Sequence, residues 1–265
     1  MKYARRMTCE SSPGCLLLHG FTGQPFEMEP LAEALGARGF RVSLPLLPGH
    51  GGRIEELDRL GWEDWASAAV RAFDELAAYA APVFAAGLSM GGSLCLELAL
   101  RRPVAGVACL AAPLRLFRLV PWIAKDPLLP FVPLLRHVRP IWPVPSKGAE
   151  SRRIAPWQGI EGAVPLNALH RLMQGLAGLR VRLGEVAAPL LVVQCPTDRT
   201  VDVRNAFEIR RLTGSAIKRL ELLKICETIT GHHLLTTHEE TRDQVADLVG
   251  DFFCTLLSRD CAPAV

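Results

Sequence analysis

The clearest chemistry in the chain is carried by one short run, Gly87-Leu88-Ser89-Met90-Gly91-Gly92. It matches G-x-S-x-G, follows the apolar run Pro82 to Leu88 and precedes a helical pattern that starts at Gly91. A serine on so sharp a strand-to-helix turn sits at a strained backbone angle. Glycines are needed two positions away because side chains there would collide with neighbouring elements. The turn lifts the Ser89 hydroxyl above the sheet. It also leaves the Met90 amide free at a helix N-terminus, where a developing oxyanion is favoured. Ser89 is therefore the candidate nucleophile.

A serine needs a base, and the base needs a carboxylate to orient it. On a strand–turn–helix nucleophile the partners follow in the order Ser, Asp or Glu, His. Beyond Ser89, the apolar run Leu190-Leu191-Val192-Val193-Gln194 ends in Cys195-Pro196-Thr197-Asp198. Asp198 is the expected acid, at the strand end where α/β sites assemble. Asp202 is its competitor, but stands just before a helix and reads as a cap. For the base, Thr230-Gly231-His232-His233 precedes the final helix. His232, directly after glycine, is the expected base; His233 is the rival, and His238 reads as surface or cap. Adjacent histidines with neither helix-face spacing nor a companion acid do not suggest a metal, so no metal or cofactor is expected.

Acyl transfer needs a second donor aimed at the oxyanion besides the Met90 amide. Leu16-Leu17-Leu18-His19-Gly20-Phe21-Thr22-Gly23 is a buried strand running into a loop, and the Phe21 amide is the best candidate. His19, at the strand end and before the serine, reads as a structural histidine that holds this loop. His50 reads as a loop residue beside the site.

These residues must be positioned by a larger frame. Apolar strand candidates at Gly14 to His19, Phe40 to Pro45, Pro82 to Leu88, Val104 to Leu110, Pro189 to Cys195 and Ile217 to Leu223 alternate with helical patterns. That rhythm predicts a parallel sheet with crossover helices, and near-continuous Leu/Val/Ala runs predict a sheet covered on both faces. The last helix is expected over about Glu239 to Leu257. The rhythm breaks from about 113 to 184, where seven prolines fall between Leu119 and Pro145, too many for a long helix. The reading is a core of 1–112 and 185–265 interrupted by a cap insertion, 113–184.

The whole chain has 265 residues, 49% hydrophobic and 22% charged, with a net charge of +3. This is an ordinary globular composition, too mildly basic to suggest nucleic acid. The eight cysteines show no C-x-x-C spacing and several sit in apolar runs. They read as reduced, which points to the cytoplasm. No apolar core follows Lys2, Arg5 and Arg6, so a signal peptide is not expected. No 18-residue apolar stretch would span a membrane.

Together, Leu-His-Gly-Phe-Thr-Gly at 18–23, Pro-Gly-His-Gly at 48–51, Gly-Leu-Ser-Met-Gly-Gly at 87–92, Val-Val-Gln-Cys-Pro-Thr-Asp at 192–198 and Gly-His at 231–232 resemble the bacterial carboxylesterase and monoacylglycerol lipase group of the α/β-hydrolase family. The resemblance implies the α/β-hydrolase fold and cleavage of short- to medium-chain acyl esters through an acyl-enzyme. It matches Ser89 to the nucleophile, Asp198 to the acid, His232 to the base, and Phe21 and Met90 to the oxyanion amides. The alternatives are a thioesterase or other serine hydrolase on the same fold and, more remotely, a non-catalytic binding protein. The expected partner is a small-molecule acyl ester. Between Arg115 and Arg153 the insertion holds eight Lys or Arg against two acids, interleaved with Trp122, Phe131 and Trp142. Such a cap suits a lipophilic acyl chain, and transient contact with an anionic membrane surface is open to it; plain packing of these residues on the core is the other reading.

Overall fold

Each of the six expected strands forms, a little shorter than its apolar run. In the computed structural model, which describes residues 12–118, 123–124 and 126–260, the order begins β1 (Gly14–Leu18), α1 (Glu29–Ala37), β2 (Arg41–Ser43), α2 (Ile54–Arg59), α3 (Trp62–Ala77), β3 (Val83–Leu88), α4 (Met90–Arg101) and β4 (Val107–Leu110). The chain then leaves the sheet through β5 (Phe117–Arg118), β6 (Ile123–Ala124), α5 (Val132–Val138), β7 (Ile141–Pro143), α6 (Ala149–Ile154), β8 (Ala163–Pro165) and α7 (Leu166–Arg182). It returns with β9 (Leu190–Gln194), α8 (Arg204–Leu212), β10 (Lys218–Leu222) and α9 (Arg242–Asp260). The main sheet runs β10-β9-β4-β3-β1-β2, and every pairing within it is parallel.

Both faces of this sheet are buried, as the unbroken apolar runs require. Leu16 and Leu18 of β1, Ala85 of β3 and Cys109 of β4 point to one core, which holds Trp65 and Phe73 of α3, Leu94 of α4 and Leu172 and Leu176 of α7. Cys15, Leu17, Phe84, Ala86 and Ala108 point to the other, against Leu31 and Leu35 of α1 and Val245, Val249 and Phe253 of α9. Strands β1 and β3 are neighbours, yet the chain leaves them for helices on opposite faces. The loops after their carboxyl ends therefore diverge and open the crevice in which ligands of open α/β sheets bind.

Ahead of α7, residues 113–165 carry two small antiparallel ribbons, β5–β6 and β7–β8. Prolines confine α5 to seven residues, with Pro133 in its first turn, where a missing N–H costs nothing. The 17-residue α7 falls in a proline-free stretch and packs on α2, α3, α4 and α5. Asp58 of α2 accepts hydrogen bonds from the Asn167 backbone and side chain, fixing where α7 begins. The last helix starts three residues later than its apolar pattern suggests, and the Glu239 N–H ahead of it bonds the Ile154 carbonyl at the end of α6. Among the described residues no helix is long and apolar enough to cross a membrane.

Candidate active site

Ser89 occupies the turn between β3 and α4 at φ +55°, the left-handed region that a non-glycine residue enters only under constraint. The constraint is visible in the glycines on either side. A Cβ on Gly87 would lie 2.3 Å from the Gly91 carbonyl carbon, and one on Gly91 would lie 2.0 Å from the Leu18 carbonyl oxygen. Only glycine lets the start of α4 rest directly on β1 and β3. Met90 is the first residue of α4, so its amide has no intrahelical acceptor.

The loop after β1 faces this turn. A Cβ on Gly20 would sit 3.4 Å from Ser89 Cβ, which measures how closely the loop backbone approaches the serine. His19 is fully buried; its Nδ1–H donates to the Gly20 carbonyl at 2.9 Å, and its Nε2 accepts from Leu47 N–H at 3.0 Å. Burial, together with the nearby His50 ring, pushes its pKa down to about 3, so it remains a neutral brace between the two loops. His50 is likewise buried, with its ring 4.8 Å from that of His19, and burial lowers its pKa to about 4. Among the described residues, neither the Phe21 nor the Met90 amide donates a backbone hydrogen bond, and both residues line the cavity above Ser89.

Asp198 is fully buried in the loop after β9, and four groups hold its carboxylate. Oδ1 accepts from the Thr200 and Val201 amides at 2.7 and 3.0 Å. Oδ2 accepts from Gln194 Nε2 at 3.0 Å and from His233 Nδ1 at 2.8 Å. Asp202 instead caps the start of α8, taking the Arg204 amide at 2.9 Å. Gln194 escaped the sequence reading. Its signal was a lone amide at the end of an otherwise apolar buried strand, which must find polar partners.

The histidine expected at the base position, His232, is not the one brought to Asp198. His232 adopts φ +56° and turns its ring away from the cavity, with Nδ1 2.7 Å from Thr197 Oγ1 and Nε2 donating to the Glu227 carbonyl at 2.8 Å. His233 takes the place beside Asp198 and shares the cavity lining with Ser89. The reason is directional. Neighbouring side chains leave the backbone on different sides, so only one of the pair can face the acid. The bond from Arg199 N–H to the Gly231 carbonyl (2.9 Å) sets which one. His238 is not a surface residue either: it is buried, with Nε2 3.1 Å from Glu227 Oε1.

The cavity over Ser89 has a volume of about 490 Å³ and is mainly apolar. Leu129, Val132, Leu135, Trp142, Val164 and Leu169 belong to its apolar wall. Of the aromatic wall candidates, Trp142 lines the cavity and Phe131 faces solvent; Trp122 lies outside the described residues. Most of the wall comes from residues 113–184, and the serine, acid and histidine come from strands on both sides of that segment.

The doubly covered parallel sheet, a strained serine after its third strand and an Asp–His pair after later strands define a serine hydrolase scaffold. Residues 15–248 match the model of the alpha/beta hydrolase family, and the chain belongs to that family. It is 30% identical to a thermostable monoacylglycerol lipase of Bacillus sp. (strain H-257) over 81% of this chain and 82% of that protein. It is 28% identical to a carboxylesterase of Bacillus subtilis (strain 168), over 89% and 90% of the two chains. A solved structure from work on the metagenome-derived lipolytic enzymes LipS and LipT superimposes with a TM-score of 0.79 at 27% identity, covering 92% of this chain and 94% of that one.

Proposed function

We propose that this chain is a carboxylic ester hydrolase acting on short- to medium-chain acyl esters, carboxylesterase or monoacylglycerol lipase in type. The observation that carries the reading is a strained Ser89 facing the same apolar cavity as a His233 whose Nδ1 is bound to a buried Asp198. Ser89 Oγ attacks the ester carbonyl while His233 Nε2 takes its proton. Asp198 holds the imidazole tautomer and stabilises the imidazolium. The carbonyl oxygen becomes an oxyanion facing the Phe21 and Met90 amides. His233 then returns the proton to the departing alcohol, and water releases the acid from Ser89 by the same steps. Residues 113–184 act as the cap that receives the acyl chain, over a core of 1–112 and 185–265. Four of the described cysteines are free and buried, which supports a reducing, cytoplasmic setting.

A panel of p-nitrophenyl esters, monoacylglycerols and acyl-CoA thioesters tests the substrate class. Chains of roughly four to ten carbons are expected to give the highest kcat/KM, because each methylene buried against the apolar wall contributes about 0.8 kcal/mol until the cavity is full. A thioester preference across all chain lengths would move the assignment to a thioesterase.

The outer face of α5 supports a further part of the reading, contact with an anionic membrane surface. Val132 and Leu135 face the cavity, while Phe131, Leu134 and Val138 are 54%, 67% and 78% exposed at helical spacing. Exposed Arg139 directly follows Val138, so this end of the helix offers apolar side chains and positive charge together. The full-length protein is expected to sediment with vesicles containing phosphatidylglycerol, less so at high salt, and not with phosphatidylcholine alone. Phe131→Ser with Leu134→Ser should abolish the sedimentation and spare hydrolysis of a soluble acetate ester. Equal sedimentation of this double variant would refute the contact.

A further inference from the structure

Glu27 is a buried carboxylate in the cavity wall that the reaction above does not use. It lies in the helical turn before α1, where an acid would ordinarily face water, yet it is only 1% exposed. Burying a carboxylate is costly unless several partners hold it. One oxygen, Oε2, accepts the Gly20 N–H at 3.1 Å, the peptide immediately before the Phe21 amide. The other presses on the far side of the same loop, where a Cβ on Gly23 would lie 1.9 Å from Oε1. The loop from Gly20 to Gly23 thus folds around this carboxyl group, and Gly23 is the only residue type that fits there.

The remaining partners of Glu27 are Trp157 and Lys147 of the insertion and, more weakly, His233. The Trp157 indole and the Lys147 ammonium line the cavity with Glu27, and both offset the burial of its carboxylate. Lys147 Nζ stands 4.2 Å from the centre of the Trp157 ring, so the two form one unit. Burial raises the Glu27 pKa and lowers that of Lys147, each offset by the other's charge. A second link joins the same two segments, from Ile160 N–H to the Thr22 carbonyl at 2.8 Å.

We propose, on the ester-hydrolase reading above, that Glu27 is a positioning residue that aligns the Phe21 amide for the oxyanion, and that Trp157 and Lys147 make this alignment depend on the seating of segment 146–160. Glu27 acts through the peptide of Gly20 and touches no reacting atom. Its contribution is felt where the oxyanion forms, in the transition state, and not in ground-state binding of the ester.

The test compares the kinetics of p-nitrophenyl butyrate hydrolysis and the rate of labelling by a fluorophosphonate across the wild type, Glu27→Ala, Glu27→Gln and Trp157→Phe. Glu27→Ala should lower kcat and the labelling rate about 10- to 100-fold with KM within about threefold, short of the ~10²- to 10³-fold cost of deleting an oxyanion donor outright. Glu27→Gln keeps an oxygen for Gly20 N–H and should recover most of the loss. Trp157→Phe removes only the indole N–H and should lower kcat about three- to tenfold, again with KM held. A folded Glu27→Ala with wild-type kcat, or one changed in KM alone, overturns the proposal. So does a glutamine variant as slow as the alanine one. Wild-type kcat in Trp157→Phe overturns the coupling to the insertion, and that variant decides the matter if Glu27→Ala fails to fold. A wild type that neither hydrolyses the ester nor reacts with the fluorophosphonate would instead refute the hydrolase reading itself.

Discussion

Ser89→Ala is expected to reduce ester hydrolysis by about 10⁴- to 10⁶-fold while the protein stays folded. The two halves of this expectation have separate causes. Activity falls because no other hydroxyl stands at the end of β3 above the two candidate oxyanion amides, and a triad lacking its nucleophile retains only what binding and the oxyanion site supply. Stability is held, and is expected to rise slightly. The alanine still occupies φ +55°, so the strain remains, but no hydroxyl needs solvating in a mainly apolar cavity. The measurement pairs steady-state kinetics with thermal unfolding. A folded Ser89→Ala keeping a tenth of the wild-type rate would end the nucleophile assignment.

The same position shows why some of the site could be read from the sequence. The contact that demands Gly87 is local, since a sharp turn forces the start of α4 onto β3 whatever lies elsewhere, and the one that demands Gly91 comes from the neighbouring strand β1. Asp198 was legible for a similar reason, because buried parallel strands are continuous apolar runs and their carboxyl ends are easily found. All six strands of the main sheet followed from those runs. What could not be read depends on distant partners. Which of two adjacent histidines meets the acid rests on the Arg199–Gly231 bond and on Thr197 and Glu227, none of which leaves a periodic trace. Glu27 carries no signal in the sequence, because an acid in a first helical turn is commonplace, and only the fold shows it buried. His238, which reads as surface or cap, is buried against Glu227, and its Nδ1 accepts the Glu240 N–H just ahead of α9.

The two histidines should therefore separate sharply on substitution. His233→Ala is expected to cost about as much as Ser89→Ala, because the triad works as a unit and the loss of one member removes most of what the others contribute. Asp198→Asn should follow with a loss on the order of 10⁴-fold in kcat, since an amide neither selects the His233 tautomer nor stabilises its cation. Asn would also disturb the Gln194 contact, placing two amide groups in opposition where a carboxylate now accepts from both sides. His232→Ala is a different kind of change. It removes the bridge from Thr197 to the Glu227 carbonyl; exposed Thr197 turns to water, and the carbonyl loses its imidazole partner. One unsatisfied group costs about 1–3 kcal/mol, so Tm should fall by a few degrees, whereas kcat should fall no more than about tenfold. The strained turn adds to this contrast, because alanine is poorly suited to φ +56°, and His232→Gly should recover part of the stability without restoring the bridge. Kinetics and thermal unfolding of the same four variants decide between the histidines. If His232→Ala is inactive and His233→Ala retains a tenth of the wild-type rate, the base is His232 and the pairing of His233 with Asp198 is structural.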